Sequence, residues 1–258
     1  MKLTRPFSAL FLAISLSASG SAFAGESIRV VSDLDDTIKI TNVDETGQAI
    51  WNGLFTLRAF AGMSRLYRAM EEANPDLRFT YLSASNEALR PKVRKFIARN
   101  GFPEGQILLK GLLNFGDTAA YKTARIEELF ARHPEEKFIL IGDDTEHDPG
   151  VYDALYTKYP DRILDIYIRR IKGRRLPPAI YPFVTAFDVA RMEYEFLRLN
   201  TILVGDVAES ILLETRDSRV LPAFQACPGG TPLALGNSID EWDRRIDSRI
   251  EKICSTRD

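Results

Sequence analysis

The sequence predicts an α/β fold, a parallel sheet with helices on both faces. Short apolar segments alternate with helical ones from about residue 27 to residue 172. The strand candidates, KFILIG above all, are apolar at nearly every position. A sheet with one wet face would alternate apolar and polar residues, so these strands belong to a sheet covered on both sides. Several of the strands also close on Asp or Ser, and in such sheets ligands bind beyond the carboxyl ends of the strands.

The first 24 residues stand apart. Lys2 and Arg5 precede an apolar run from about Ala9 to Ala18, followed by Ala22-Phe23-Ala24. That order predicts a secretory signal cleaved after Ala24, and hence an exported, periplasmic or secreted protein. The run is short for a bilayer span, and no later segment reads as transmembrane. Without those residues the chain carries 32 Lys and Arg against 36 Asp and Glu. A mildly acidic balance argues against general nucleic-acid binding.

SIRVVS reads as the first strand, and IKITNVDETGQAIWNGLFTLRA as a hairpin or irregular flap. GMSRLYRAMEEANP is a helix ended by Pro75. LRFTYLSAS is a strand that runs into the helix NEALRPKVRKFIARNG, stopped by Gly101. QILLK is the third strand, YKTARIEELFARHP a helix, KFILIGDD a strand, GVYDALYTKYP a helix and RILDIYIRR another strand. Beyond residue 176 the pattern loosens. PPAIYPFVTAFDVARMEYEFLRL reads as helical, and TILVGDVAESILLE as a short strand and a helix. Ile239, Trp242, Ile246, Ile250 and Ile253 recur at three- and four-residue steps, which predicts a helix laid on the main domain. Cys227 and Cys254 are the only cysteines, and in an exported chain such a pair reads as a disulfide. The expected division is therefore a signal at 1–24, a catalytic domain at 25–205 and a helical, disulfide-tied extension at 206–258.

Three carboxylates crowd the end of the first strand in VVSDLDDTIKIT: Asp33, Asp35 and Asp36. Like charges so close repel, and burying an unpaired carboxylate is costly. The strand ends bring Asp33 and Asp35 toward Ser83 and toward Asp143 with Asp144, a set of oxygen ligands suited to a divalent cation. An EF-hand is excluded, because Ile38 stands where the turn glycine belongs and a strand precedes the loop.

The ordered series strand-D-x-D-x-T, strand-Ser, helix-start Lys and strand-G-D-D-x-x-x-D resembles the haloacid-dehalogenase superfamily of phosphohydrolases. SDLDDTIKIT, YLSASNEALRP, GFPEGQILLK and KFILIGDDTEHDPGVY resemble, in the same order, segments of the actin-patch type of phosphatidate phosphatase catalytic domain and its bacterial relatives. The resemblance covers about residues 27–172. It implies a Rossmann-like sheet, phosphomonoester hydrolysis through an aspartyl-phosphate, and Mg²⁺.

In those terms Asp33 is the nucleophile and Asp35 the general acid and base. Mg²⁺ is held by Asp33, the Asp35 backbone carbonyl and Asp143, with Asp148 as the partner acid and Asp144 its alternative. Ser83 donates to a phosphoryl oxygen, with Ser85 as the rival, since only one is expected to take that position. Lys122 neutralises phosphate charge. Asp36 and Thr37 shape the turn after the strand, and Thr37, Arg169 and Arg170 are expected among the substrate contacts. His147 and His133 are expected to face solvent and to end a helix. The segment RRIKGRR, residues 169–175, would draw an anionic substrate or lipid surface.

Only a small flap fits between Thr37 and Ser83, with no large cap domain there or before Lys122. An open site suits a lipid phosphate at a membrane surface. A periplasmic phosphatase of nucleotides, sugar phosphates or phosphoproteins fits the same residues, as does a non-catalytic metal- or envelope-binding module. No protein partner is expected.

Overall fold

The computed structural model describes residues 27–41, 57–111, 117–228 and 239–257. The expected signal at 1–24 and most of the expected flap lie outside the described residues. Six strands form one sheet: β1 (Ile28–Ser32), β2 (Arg78–Asn86), β3 (Gln106–Lys110), β4 (Lys137–Asp143), β5 (Ile163–Arg169) and β6 (Tyr181–Phe183). Their order is β3-β2-β1-β4-β5-β6 and every pairing is parallel.

The helices between them are α1 (Met63–Ala73), α2 (Arg90–Asn100), α3 (Thr118–Arg132) and α4 (Asp148–Lys158). After the sheet come α5 (Ala186–Glu195), α6 (Thr201–Leu212), the single turn α7 (Asp217–Val220) and α8 (Asp240–Ser255). Successive strand residues point to opposite faces, and here both faces are apolar. Val30, Ile139, Ile141 and Tyr167 pack with α1, α2, α5, α6 and α8. Val31, Leu140, Ile166 and Ile168 pack with α3 and α4.

The chain leaves β1 on one side to build β2 and β3, then returns to place β4 on the other. The carboxyl ends of β1 and β4 therefore flank the switch point where a crevice opens. At the two ends of the expected flap segment, the Ile40 amide donates to the Arg58 carbonyl and the Phe60 amide to the Ile38 carbonyl, around an antiparallel bridge between Lys39 and Ala59.

Three expectations change. The stretch read as wholly helical opens with β6, because Tyr181–Phe183 pairs with Tyr167–Arg169 before α5 begins at Ala186. The strand expected in TILVGDVAESILLE is absent, and Thr201–Leu212 is one helix. The division expected at 205/206 falls inside that helix, and α6 and α8 belong to the same apolar core as α1 and the sheet. Trp242 of α8 lies over Gly205, close enough that a Cβ there would stand 3.5 Å from the indole, in ordinary contact. A Cys227–Cys254 disulfide closes the extension.

Candidate active site

Asp33 directly follows β1, and its amide still donates to the Ile141 carbonyl of β4 at 2.8 Å. Asp143 ends β4 and Asp148 opens α4, where a helix N-terminus favours negative charge. The three buried carboxylates offer oxygens within 4.8 Å of one another. Lys122, in the second turn of α3, reaches in between them. Its ammonium donates to Asp33 Oδ1 at 2.8 Å and also to Asp148 Oδ1.

Gly142 makes the approach of Asp148 possible. A Cβ there would lie 2.4 Å from Asp148 Oδ2. That oxygen is buried and has no hydrogen-bond partner among the described residues. One buried ammonium thus faces three buried carboxylates, one of them with an unsatisfied oxygen. A hard divalent cation supplies the charge and the ligation this set lacks, so the residues fit such an ion.

The electrostatics follow from that imbalance. Burial pushes the Asp33 carboxyl well above the usual range; Lys122 pulls it down, while Asp148, Asp143 and Asp35 push it further up. Asp143 is pushed up to about 7, by burial first and by Asp148 next, against Lys122 and the bonds from Thr145. Burial works against the charge on Lys122, but Asp148 and Asp33 outweigh it and hold the ammonium well above its ordinary value.

Asp35 behaves differently. Burial raises its carboxyl, but the charge of Lys39 and hydrogen bonds from Lys39, Thr41 and Ser85 bring it below the ordinary value. Lys39 forms a salt bridge to it and is itself only 2% exposed. Lys39 lies outside the motifs that mark the other site residues. Its signal was a lysine between two isoleucines, four residues after an acid, where the flanking residues call for burial.

Ser83 and Ser85 both face Asp35. They sit two apart on β2 and so share a face, and both hydroxyls donate to Asp35 Oδ2, at 3.3 and 3.2 Å. The Ser85 amide donates to Ser83 Oγ at 3.0 Å.

Asp144 and Asp148 take different positions. Asp148 joins the triad, while Asp144 turns away and accepts the amides of Ile171, Lys172 and Arg174 at 2.7, 2.7 and 3.0 Å. Asp36 adopts the left-handed region, φ 55°, which Asp tolerates, and its Oδ1 accepts the Thr41 amide, so it shapes the turn as expected.

Three expected substrate contacts are otherwise engaged. Thr37 is fully buried, and its hydroxyl donates to Asp143 Oδ2 at 2.9 Å, with Asp33 Oδ2 at 3.3 Å. Arg169 is 1% exposed. It donates to the Thr37 and Val184 carbonyls and stacks between Phe60 and Phe183, with burial lowering its pKa to about 9. It ties the turn after β1 to the segment after β6. Arg170 turns toward Asp144, with Nε 3.6 Å from Oδ2. His147 is exposed, and His133 caps the end of α3.

A doubly wound parallel sheet that delivers one aspartate just after β1, a lysine from the helix before β4, one aspartate from the end of β4 and one from the start of α4 is a haloacid-dehalogenase-type domain. Residues 28–170 match the family described as the phosphatidate phosphatase APP1 catalytic domain, and the chain belongs to that family. It is 32% identical over 152 residues to phosphatidate phosphatase APP1 of Saccharomyces cerevisiae, an alignment that takes in 55% of this chain and 26% of the yeast protein. An uncharacterised protein of Schizosaccharomyces pombe is 30% identical over 154 residues, 56% of this chain and 25% of its own length. The chain thus spans about a quarter of the length of these curated relatives. A chain of the solved structure entitled "Structure of Pnkp1/Rnl/Hen1 complex" aligns with 66% of this chain and 50% of its own at 16% identity and a TM-score of 0.40, too distant to bear on function.

Proposed function

We propose that this chain is an exported, Mg²⁺-dependent phosphomonoester hydrolase that works through a phosphoryl group carried on Asp33, with phosphatidate or a related lipid phosphate as substrate. The observation that carries this reading is the buried Asp33–Asp143–Asp148 triad around Lys122 at the switch point of the sheet. The yeast relative's name supports the lipid phosphate, and the charge order of residues 1–24 supports export.

Asp33, Asp143 and Asp148 would hold the ion, together with the Asp35 backbone carbonyl. Mg²⁺ supplies charge neutralisation at the phosphoryl oxygens and keeps the ligating carboxylates ionised. Asp33 attacks phosphorus in line with the leaving oxygen, forming one P–O bond as the ester P–O bond breaks. Lys122 holds Asp33 in aim and balances charge on the transferred group. Asp35 protonates the leaving alkoxide and, as a carboxylate again, takes a proton from the water that hydrolyses the acyl-phosphate. In the described state Asp35 is bound by Lys39, Thr41, Ser83 and Ser85. It is therefore poised as the base, and it must leave Lys39 to serve as the acid.

Hydrolysis of p-nitrophenyl phosphate and of phosphatidate, with Mg²⁺ and with EDTA, tests the reading. Turnover should need the metal, and Asp33→Asn should abolish it while the melting temperature stays within a few degrees. Activity that survives either change rules out the mechanism.

A further inference from the structure

The carboxylate that pins residues 170–175 lies one peptide bond from a triad acid. Asp144 is fully buried, follows Asp143 directly, and spends both oxygens on three backbone amides of that loop. Ile171 is buried beneath the loop, and its carbonyl accepts the Ala226 amide at 2.8 Å. Gly173 turns the chain at φ 69°, a conformation open to glycine. What this fixed backbone presents outward is cationic: Lys172, Arg174 and Arg175 are all exposed. From residue 166 to residue 187 the sequence holds no Asp or Glu, in a chain that is acidic overall. A dedicated buried acid holding a positively charged loop at fixed height beside a reactive centre is more than a solvated edge requires.

We propose that loop 170–175 is a docking surface for an anionic lipid bilayer, with Lys172, Arg174 and Arg175 lying against the headgroups and the triad held at the membrane surface. This deepens the lipid-phosphate reading of the same site and rests on it for the choice of partner. Basic residues near an anionic leaflet each add to attraction, and the attraction is screened by salt.

Vesicle co-sedimentation of the full chain tests it without turnover. The readout is the ratio of partitioning onto phosphatidylcholine vesicles containing phosphatidylglycerol to that onto phosphatidylcholine alone. An apolar segment elsewhere in the chain would bind both and cancels in the ratio. The ratio should be well above one in low salt and collapse as salt rises. The triple variant Lys172→Ala, Arg174→Ala, Arg175→Ala should lower it roughly a hundredfold, and the variant Arg174→Lys, Arg175→Lys should keep it. The Ala variant should also retain turnover of soluble p-nitrophenyl phosphate, which shows that it folds.

An Ala variant that binds anionic vesicles as the parent does overturns the docking surface. So does a parent chain that ignores anionic lipid, or one that takes up RNA in its place. Vesicle binding that obeys the prediction while the parent fails to hydrolyse any lipid phosphate leaves the docking surface standing and removes the lipid-phosphatase reading.

Discussion

Asp33, Asp143 and Asp148 set three buried carboxylates against the single ammonium of Lys122, and the excess charge has measurable consequences. Without a metal, burial and the neighbouring Asp148 push the Asp143 carboxyl up to about 7, against an ordinary value of 3.8. Between about pH 4 and pH 7 the folded chain therefore holds a proton that the unfolded chain has lost, so stability falls as pH rises through that window. Asp33 is shifted in the same direction. On the proposed reading Mg²⁺ would compete for those sites with the proton, so its stabilising effect should grow with pH. Thermal melts with and without Mg²⁺ should show a larger increment at pH 8 than at pH 6; an increment independent of pH would contradict the assignment. Gly142→Ala would drive a methyl into Asp148 Oδ2. Its expected cost is about 1–3 kcal/mol of stability, with metal affinity falling at least tenfold by calorimetric titration. Most of this site was legible in the sequence, because strand-ending acids at the right spacing converge in any parallel sheet. Lys39, the engagement of Thr37 and the burial of Arg169 were not. Each depends on which way a side chain turns once the strands are packed, and a linear motif does not record that.

Among the elements, those from β1 to β5 follow the sequence closely, since uniformly apolar strands and Gly or Pro stops leave few alternatives. β6 was hidden. Three residues containing a proline carry little strand signal, and an edge position is where a proline is tolerated in a sheet. α6 was misjudged for a related reason: TILV opens with β-branched residues, yet burial against α1, α5 and α8 overrides their local preference. The Asn200 side chain, accepting the Leu203 amide at 3.0 Å, caps its start. α8 carries the expected apolar stripe, and its end is tied by the disulfide across a sequence separation of 27 residues. Closing a loop of that size contributes about 3.5 kcal/mol through the unfolded chain. The double variant Cys227→Ser, Cys254→Ser should therefore melt several degrees lower. An unchanged melting temperature would mean that packing alone holds α8.

At the scale of the molecule, the family match stops at residue 170, but the packed interior does not. The face of the sheet bearing Ile139, Ile141 and Tyr167 is shared with α5, α6 and α8, all of which come later. The same later segment reaches the front of the molecule, where the Arg219 carbonyl accepts the Ala61 amide and its guanidinium donates to the Ala59 carbonyl at the root of the flap. Trimming the polypeptide to its homologous stretch would strip one side of the sheet to water and remove the Arg219 contacts to Ala59 and Ala61, leaving an aggregation-prone remnant. The recognisable sequence and the smallest piece able to stand alone are, in this protein, two different lengths.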